Sequence, residues 1–487
     1  TGTDSEPAGS ALRGEVEIRR AGESFTGEAT HFGEYTAASA GSAVLTVPVD
    51  DLPSTADYVW QARVRDGFGR VSGWTAFSAA GGIDFYRPLQ TVDSAASGDW
   101  EEPTTWSTGS VPEPGDVVNI LSGHTVTLNS QSEIMVTDLT VTGSLTHSSL
   151  TGINVWALED LTVDASGSIT ANGKGYSNEN GPGAGSRSYE AGGGGAHGGD
   201  GGRSSDSATD GGSAYGFVRE PITAGSGGGR LSRYSVAGGT GGGVIKLIAG
   251  GILTVDGEIS SDGTGGSEYG ARCGGGGAGG SVWIDAGMLT GTGTISADGG
   301  SSVNSSYDGG GGAGGRIALY YSDDTFTGSV TAYGGFGYNY GGAGTIYRKG
   351  PAETDGILIV DNNGNFSGRT PMLEDLIFDR TEFSGGWIRF TSARTFSGGD
   401  LVISSGTLSF DVPAGSGTSP VFNDVNIGDG GVGNHSAQGI STYYTFYISA
   451  AGNLTLAGGA EISTTGKGYS NENGPGAGSR SYEAGGG

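Results

Sequence analysis

Apolar and polar residues alternate with a period of two in short bursts along this chain, each burst closed by turn residues. Tyr58, Trp60, Ala62 and Val64 alternate with Val59, Gln61, Arg63 and Arg65, which predicts a strand with one buried face. Asp66-Gly67 and Phe68-Gly69 supply the turn, and Val71-Ser72-Gly73-Trp74 opens the next strand. Glu15-Val16-Glu17-Ile18 predicts a middle strand of the same unit. Further β-rich runs lie at 117–120, 124–128, 134–141 and 154–163. The fold class expected is all-β.

A longer pattern repeats on top of this one. Gly242-Gly243-Val244-Ile245-Lys246-Leu247 leads to Ile252-Leu253-Thr254-Val255, then to Glu258-Ile259-Ser260. Gly279-Gly280-Ser281-Val282-Trp283-Ile284 and Gly314-Gly315-Arg316-Ile317-Ala318-Leu319 open two further units, spaced 37 and 35 residues on. Such units cannot bury an apolar face alone and are expected to stack as short parallel strands. Glycine runs fall at matching places, including 192–195, 241–243, 274–277 and 309–312. They serve as the connections between strands, and with no side chains between them they are expected to pair main chain to main chain.

Composition narrows the picture. Glycine accounts for 102 of 487 residues, which disfavours helices, and no every-third-residue register suggests collagen. Acidic residues outnumber basic ones 52 to 24, for a formal charge of −28, so no basic patch marks a nucleic-acid partner. No apolar run is long enough for a membrane helix, so no membrane span is expected in this segment. Residues 173–194 recur unchanged at 466–487, a duplication expected of a tandemly repeated longer polypeptide.

Two stretches resemble known families. Leu52-Pro53 followed by Tyr58 matches the Leu-x-Pro-x-Thr-x-Tyr signature of bacterial fibronectin type III domains, with Ala56 in place of the usual threonine. The resemblance implies a partial sandwich over 1–88 in which Tyr58 pins a corner and Trp60 shares its buried face. Its first strands are expected upstream of Thr1 or donated by another chain. Gly98-Asp99-Trp100, Thr105-Trp106, Val111-Pro112 and Pro114-Gly115-Asp116 resemble the opening of right-handed parallel β-helix regions in large bacterial surface proteins. That implies a glycine-rich β-helix (β-solenoid) module over 89–348, with Trp100 and Trp106 as a lid, and a second module over 349–487.

Candidate chemistry is sparse. The adjacent acidic pairs Asp50-Asp51, Glu101-Glu102 and Asp323-Asp324 point to opposite strand faces and make no acid/base dyad. No catalytic residue and no cofactor site is expected. Calcium is the one ion the charge invites, with Asp262 and Asp298 as candidate ligands at equivalent coil positions. The five histidines are scattered, His197 is expected at the surface, and Cys273 reads as a small buried filler or a free thiol. Tyr176, Tyr189, Tyr269, Tyr307, Tyr338 and Tyr340 lie near glycine runs, either packed over bare backbone or forming a sugar-binding face.

The structural residues expected to matter are Tyr58, Trp60, Trp100, Trp106 and the coil glycines Gly192, Gly242, Gly243, Gly279, Gly280, Gly314 and Gly315. The function expected is that of an extracellular or cell-surface structural protein, a fibre, stalk or filament assembled head-to-tail from copies of itself. The alternatives are an adhesin holding glycans or another cell surface, and a polysaccharide-degrading β-helix enzyme.

Overall fold

The computed structural model describes residues 2–3, 11–37, 42–49, 57–67, 69–77, 85–86, 90–130, 133–148, 150, 152–206, 209–302, 308–365, 368–373, 376–391, 396–413, 420–435, 444–446 and 448–468. Leu52-Pro53, Asp50-Asp51, Tyr307 and most of the second copy of the duplicated segment lie outside these residues. The fold is all-β, and its sheets are not closed into barrels.

At the N-terminal end, Ala11–Arg20 and Asp57–Asp66 pair antiparallel from Leu12↔Asp66 to Arg20↔Tyr58. His31–Phe32 and Thr36–Ala37 flank the first strand, and Thr75–Ala76 and Phe85–Tyr86 the second. Tyr58 is buried with Val16 and Ile18, while Trp60 is half-buried and stacks on Phe77 at 4.1 Å. The face expected to be polar is buried too. Glu15 and Glu17 are fully enclosed, and Glu15 accepts from Arg63 at 2.7 Å, from Arg13 at 2.9 Å and from Arg65. Burial alone would raise this carboxyl, but the three guanidiniums hold it down at about 2. Alternation had located the strand correctly but could not reveal an ion network over its second face.

Beyond residue 90, two long ladders form. Among the described residues one has fifteen strands and the other seven, and most of their neighbouring strands run parallel. In the longer ladder Val118, Leu139, Leu161, Leu253 and Leu289 are successive register partners. In the shorter one Val126, Leu145, Ile169, Ile259 and Ile295 follow one another in the same way. All ten are sealed from solvent and belong to one apolar cluster, since each side chain sits directly on its counterpart one strand below. Trp100 and Trp106 are buried at the first rung of this cluster. Their rings meet edge-on at 4.8 Å, and Trp106 Nε1 donates to the Trp100 carbonyl at 2.8 Å.

The longer ladder reverses direction once, where Thr345–Lys349 pairs antiparallel with Ile357–Asp361. Beyond it the strands run parallel again through Arg380–Ser384, Asp400–Ile403, Val425–Ile427 and Leu454–Leu456, over a second apolar cluster. A separate six-stranded sheet beginning with Arg369–Pro371 and Trp387–Thr391 accompanies them.

The glycine runs are neither strands nor loose links. After Glu258–Ser260 the chain leaves the short ladder along 261–266, turns, and comes back along 274–280 into Ser281–Thr290. The same excursion follows Ser168–Thr170, Thr294–Ser296 and Ser329–Thr331, each returning into the next strand of the long ladder. Outgoing and returning segments from all four excursions pack together into a lobe whose interior is largely main chain.

Its hydrogen bonding has a period of three. Gly275 and Ala278 donate to Gly229 and Ser226, Gly276 and Gly279 to Gly310 and Ala313, and Gly277 and Gly280 to Thr264 and Ser261, all at 2.7–2.9 Å. Residues 310–315 do the same. Gly310 and Ala313 donate to Gly192 and Gly195, Gly311 and Gly314 to Asn339 and Gly342, and Gly312 and Gly315 to Gly300 and Ala297. A β-strand bonds to two neighbours in alternation, whereas each of these segments addresses three neighbours in rotation, as an extended helix of three residues per turn would. Such a helix is crowded by backbone on most sides, and along 275–280 and 310–315 only Ala278 and Ala313 carry a Cβ, the other ten residues being glycine. Glycine is needed here for close approach rather than for unusual dihedrals: none of Gly274–Gly277 or Gly309–Gly312 has a positive φ.

Candidate functional site

The seven coil glycines singled out from sequence all face this crowding. A Cβ on Gly192, Gly242, Gly279, Gly280, Gly314 or Gly315 would overlap the carbonyl oxygen of Gly229, Ser261, Ala297, Gly243, Ala332 or Gly280 respectively, and one on Gly243 would strike the His147 ring. Six of them directly precede Val244, Ser281 and Arg316, where the lobe joins the longer ladder, while Gly192 lies within the lobe and accepts from Gly310.

One polar cluster lies inside the lobe. His197, expected at the surface, is instead completely buried, because the glycine run carrying it is itself interior. Its Nδ1 lies 2.9 Å from the Gly279 carbonyl oxygen and its Nε2 2.9 Å from Thr223 Oγ1, with Tyr215 beside the ring at 4.9 Å. The buried Arg316 donates to the Tyr215 carbonyl at 2.9 Å and to Thr345 Oγ1 at 3.1 Å. Burial, then the nearby Arg316 charge, pushes the His197 imidazolium down to about 3, so the ring is neutral at any ordinary pH. The cluster ties a glycine segment to a ladder strand. Cys273 is buried, and its Sγ accepts from the Gly309 amide at 3.1 Å; burial raises this thiol.

Asp262 and Asp298 do come into line. Asn172 Oδ1 accepts from the Asp262 amide at 2.6 Å, Asp262 Oδ1 from the Asp298 amide at 2.6 Å, and Asp298 Oδ1 from the Tyr333 amide at 2.6 Å. Their second oxygens take hydroxyls from Ser296 at 3.0 Å and Thr331 at 2.9 Å. The carboxylates thus cap the outgoing backbone of the next coil. Among the described residues no three His, Cys, Asp or Glu side chains come together.

Burial and then the Asp262 charge push the Asp298 carboxyl up to about 6. A carboxyl raised in the fold favours folding while protonated, and that advantage is lost as pH rises from the ordinary 3.8 through about 6. Asp298→Asn keeps an acceptor for Tyr333 and removes the charge. Thermal melts are expected to show it stabilised by about 1–3 kcal/mol at pH 8 and not at pH 4. Equal destabilisation at both values would contradict this.

The turns of the excursions carry exposed aromatics. Tyr234 and Tyr269 stack at 4.6 Å, and Arg233 lies 5.2 Å from the ring centres of both Tyr189 and Tyr234. Glu190 binds Arg233 at 2.9 Å and also Arg272; the Arg272 contact above all holds its carboxyl below the usual range. Tyr189 and Tyr269 remain more than half exposed. At the turn of the last excursion Tyr338 is equally exposed, and Phe336 meets Tyr340 edge-on at 4.9 Å. Tyr176, by contrast, packs over Gly181. Sequence reading singled out Tyr189 and Tyr269 but missed Tyr234, Arg233, Arg272 and Glu190. A signal was available: Glu190 and Arg272 sit beside glycine runs, and Arg233 and Tyr234 lie in the short stretch between two of them, where the turn must be.

Glu101 caps the amides of Asn129 and Ser130, and Asp324 pairs with Arg348, so neither belongs to a carboxylate dyad. Among the described residues no helix is long and apolar enough to cross a membrane. Compared with known proteins, the chain matches no family model, no curated protein and no solved structure.

Proposed function

We propose that this chain is part of an extracellular structural protein: a rod of β-solenoid modules, preceded by a fibronectin type III-like unit and braced along its side by the glycine lobe. The N-terminal antiparallel sheet supports the first unit, and the in-register apolar stacks support the solenoid. Continuous ladders make such a rod stiff, and a high negative charge keeps it from clumping sideways.

One observation carries the end-to-end part of this reading. Leu454, Leu456 and Ile462 stand at the positions of Leu161, Val163 and Ile169 in the duplicated pattern. The upstream set is 0 % exposed beneath the strands Val244–Val255 and Glu258–Ser260, and a following rung of the same pattern would cover the downstream set in the same way. Rungs that repeat in this register favour modules added end to end. Electron microscopy over a concentration series is expected to show rods that lengthen end to end, and Leu454→Arg is expected to stop them. Particles of one compact size at every concentration would overturn the reading.

The exposed tyrosine and arginine turns favour a second, compatible reading, in which the rod also holds glycans or another cell surface.

A further inference from the structure

A cavity of about 360 Å³ opens where the glycine lobe meets the six-stranded sheet, at the lower end of the ordinary range for small-ligand sites. Its two sides are chemically unlike. The lobe contributes main chain at Gly201, Gly202, Gly211 and Gly212 together with Asp200, Arg203, Asp210 and Asn339. The sheet contributes Arg369 and Trp387, which are register partners on adjacent strands, with the guanidinium 4.6 Å from the indole ring centre. Arg203 pairs with Asp210 across 2.8 Å at the rim. Asp200 lines the cavity, and its Oδ1 accepts from the Ala214 amide at 2.9 Å. Burial raises this carboxyl above the usual carboxylate range, outweighing the Ala214 amide and the charges of Arg369 and Arg389.

We propose that this cavity binds the terminal pyranose of a neutral glycan. Sugar hydroxyls need donors and acceptors close together, and guanidiniums, an amide and a carboxylate provide both. An indole offers an apolar face for the C–H side of the ring. Walls made of glycine let that ring approach the backbone. Other ligand classes fit worse. Asp200 and Asp210 repel phosphate, the arginines repel metal cations, and the lining is too polar for a hydrocarbon. The site is distinct from the exposed tyrosine turns, and it stands whether or not the rods assemble end to end.

The test is saturation-transfer NMR and titration calorimetry on the intact chain. The probes are the methyl pyranosides of glucose, galactose, mannose and N-acetylglucosamine, with glucuronate and galacturonate alongside. At least one neutral pyranoside is expected to bind with a millimolar or tighter dissociation constant. Asp200→Asn, Asn339→Ala and Arg369→Ala are each expected to weaken it at least tenfold, while Tyr269→Ala leaves it unchanged. Melting curves identify any variant that has lost its fold, and three substitutions keep the result readable if one does. Binding of no pyranoside, binding of uronates alone, or binding lost with Tyr269→Ala but retained in Asp200→Asn would each overturn the proposal.

Discussion

Gly275→Ala is expected to destabilise the protein by about 3 kcal/mol, near the upper end of ordinary overpacking costs. The added methyl would fall on the Gly193 carbonyl oxygen, with its carbon and the Gly194 amide just behind. Those are backbone atoms held by hydrogen bonds of their own, so nothing can swing aside: Gly193 donates to Ser186 and accepts from Gly229. Moving Gly193 breaks one neighbour of the bundle, and moving Gly275 breaks its bond to Gly229. Gly458→Ala provides the contrast, because its Cβ meets nothing within 4 Å and its φ is ordinary. That substitution is expected to be neutral within about 0.5 kcal/mol, or slightly stabilising through the unfolded chain. Chemical denaturation of the two variants against the parent measures the difference directly. Equal small effects would mean that the lobe is looser than described.

The second large effect is acid lability. His147 is held down to about 4 by burial, and His197 to about 3 by burial and the Arg316 charge. Both rings stay neutral in the fold, whereas the unfolded chain takes up protons below about 6.5. Their contribution to stability is therefore full above pH 6.5 and is lost as pH falls through 6.5 towards 4 and then 3. Between pH 7.5 and 4.5 the pair is expected to cost roughly 5 kcal/mol. Asp298 works in the opposite direction over part of that window and moderates the net loss. His197→Gln retains a donor and an acceptor while removing the titration. It is expected to flatten the slope of stability against pH by about half, whatever it does to stability at pH 7.5. An unchanged slope would place the proton uptake elsewhere.

The strands were legible in the sequence because burial on one face leaves a period of two, as in Leu161-Thr162-Val163 and Leu253-Thr254-Val255. Their stacking was legible because the same pattern returns at a near-constant interval. The Asp262–Asp298 alignment follows from that interval alone. What the glycine runs do was only partly readable. A side chain that is absent leaves no amphipathic trace, so the runs announced close approach but not the rotation of three neighbours around each segment. For the same reason His197 looked solvent-facing: in sequence it is surrounded by nothing, and in space it is surrounded by backbone. The ion network around Glu15 was hidden differently, since Arg13, Arg63 and Arg65 alternate as exposed residues do and only pairing across strands brings them to one carboxylate. The tyrosine cluster needed the turns of separate excursions to be neighbours, which no local pattern states.

Amide hydrogen exchange across the glycine runs tests the central claim, a lobe whose glycine segments are held to one another by main-chain hydrogen bonds. If the account is right, the amides of 275–280 and 310–315 exchange as slowly as those of the core strand Val244–Val255, because each donates to a neighbouring backbone. If they exchange within seconds while the strands stay protected, the runs are unbonded tethers and the account is wrong.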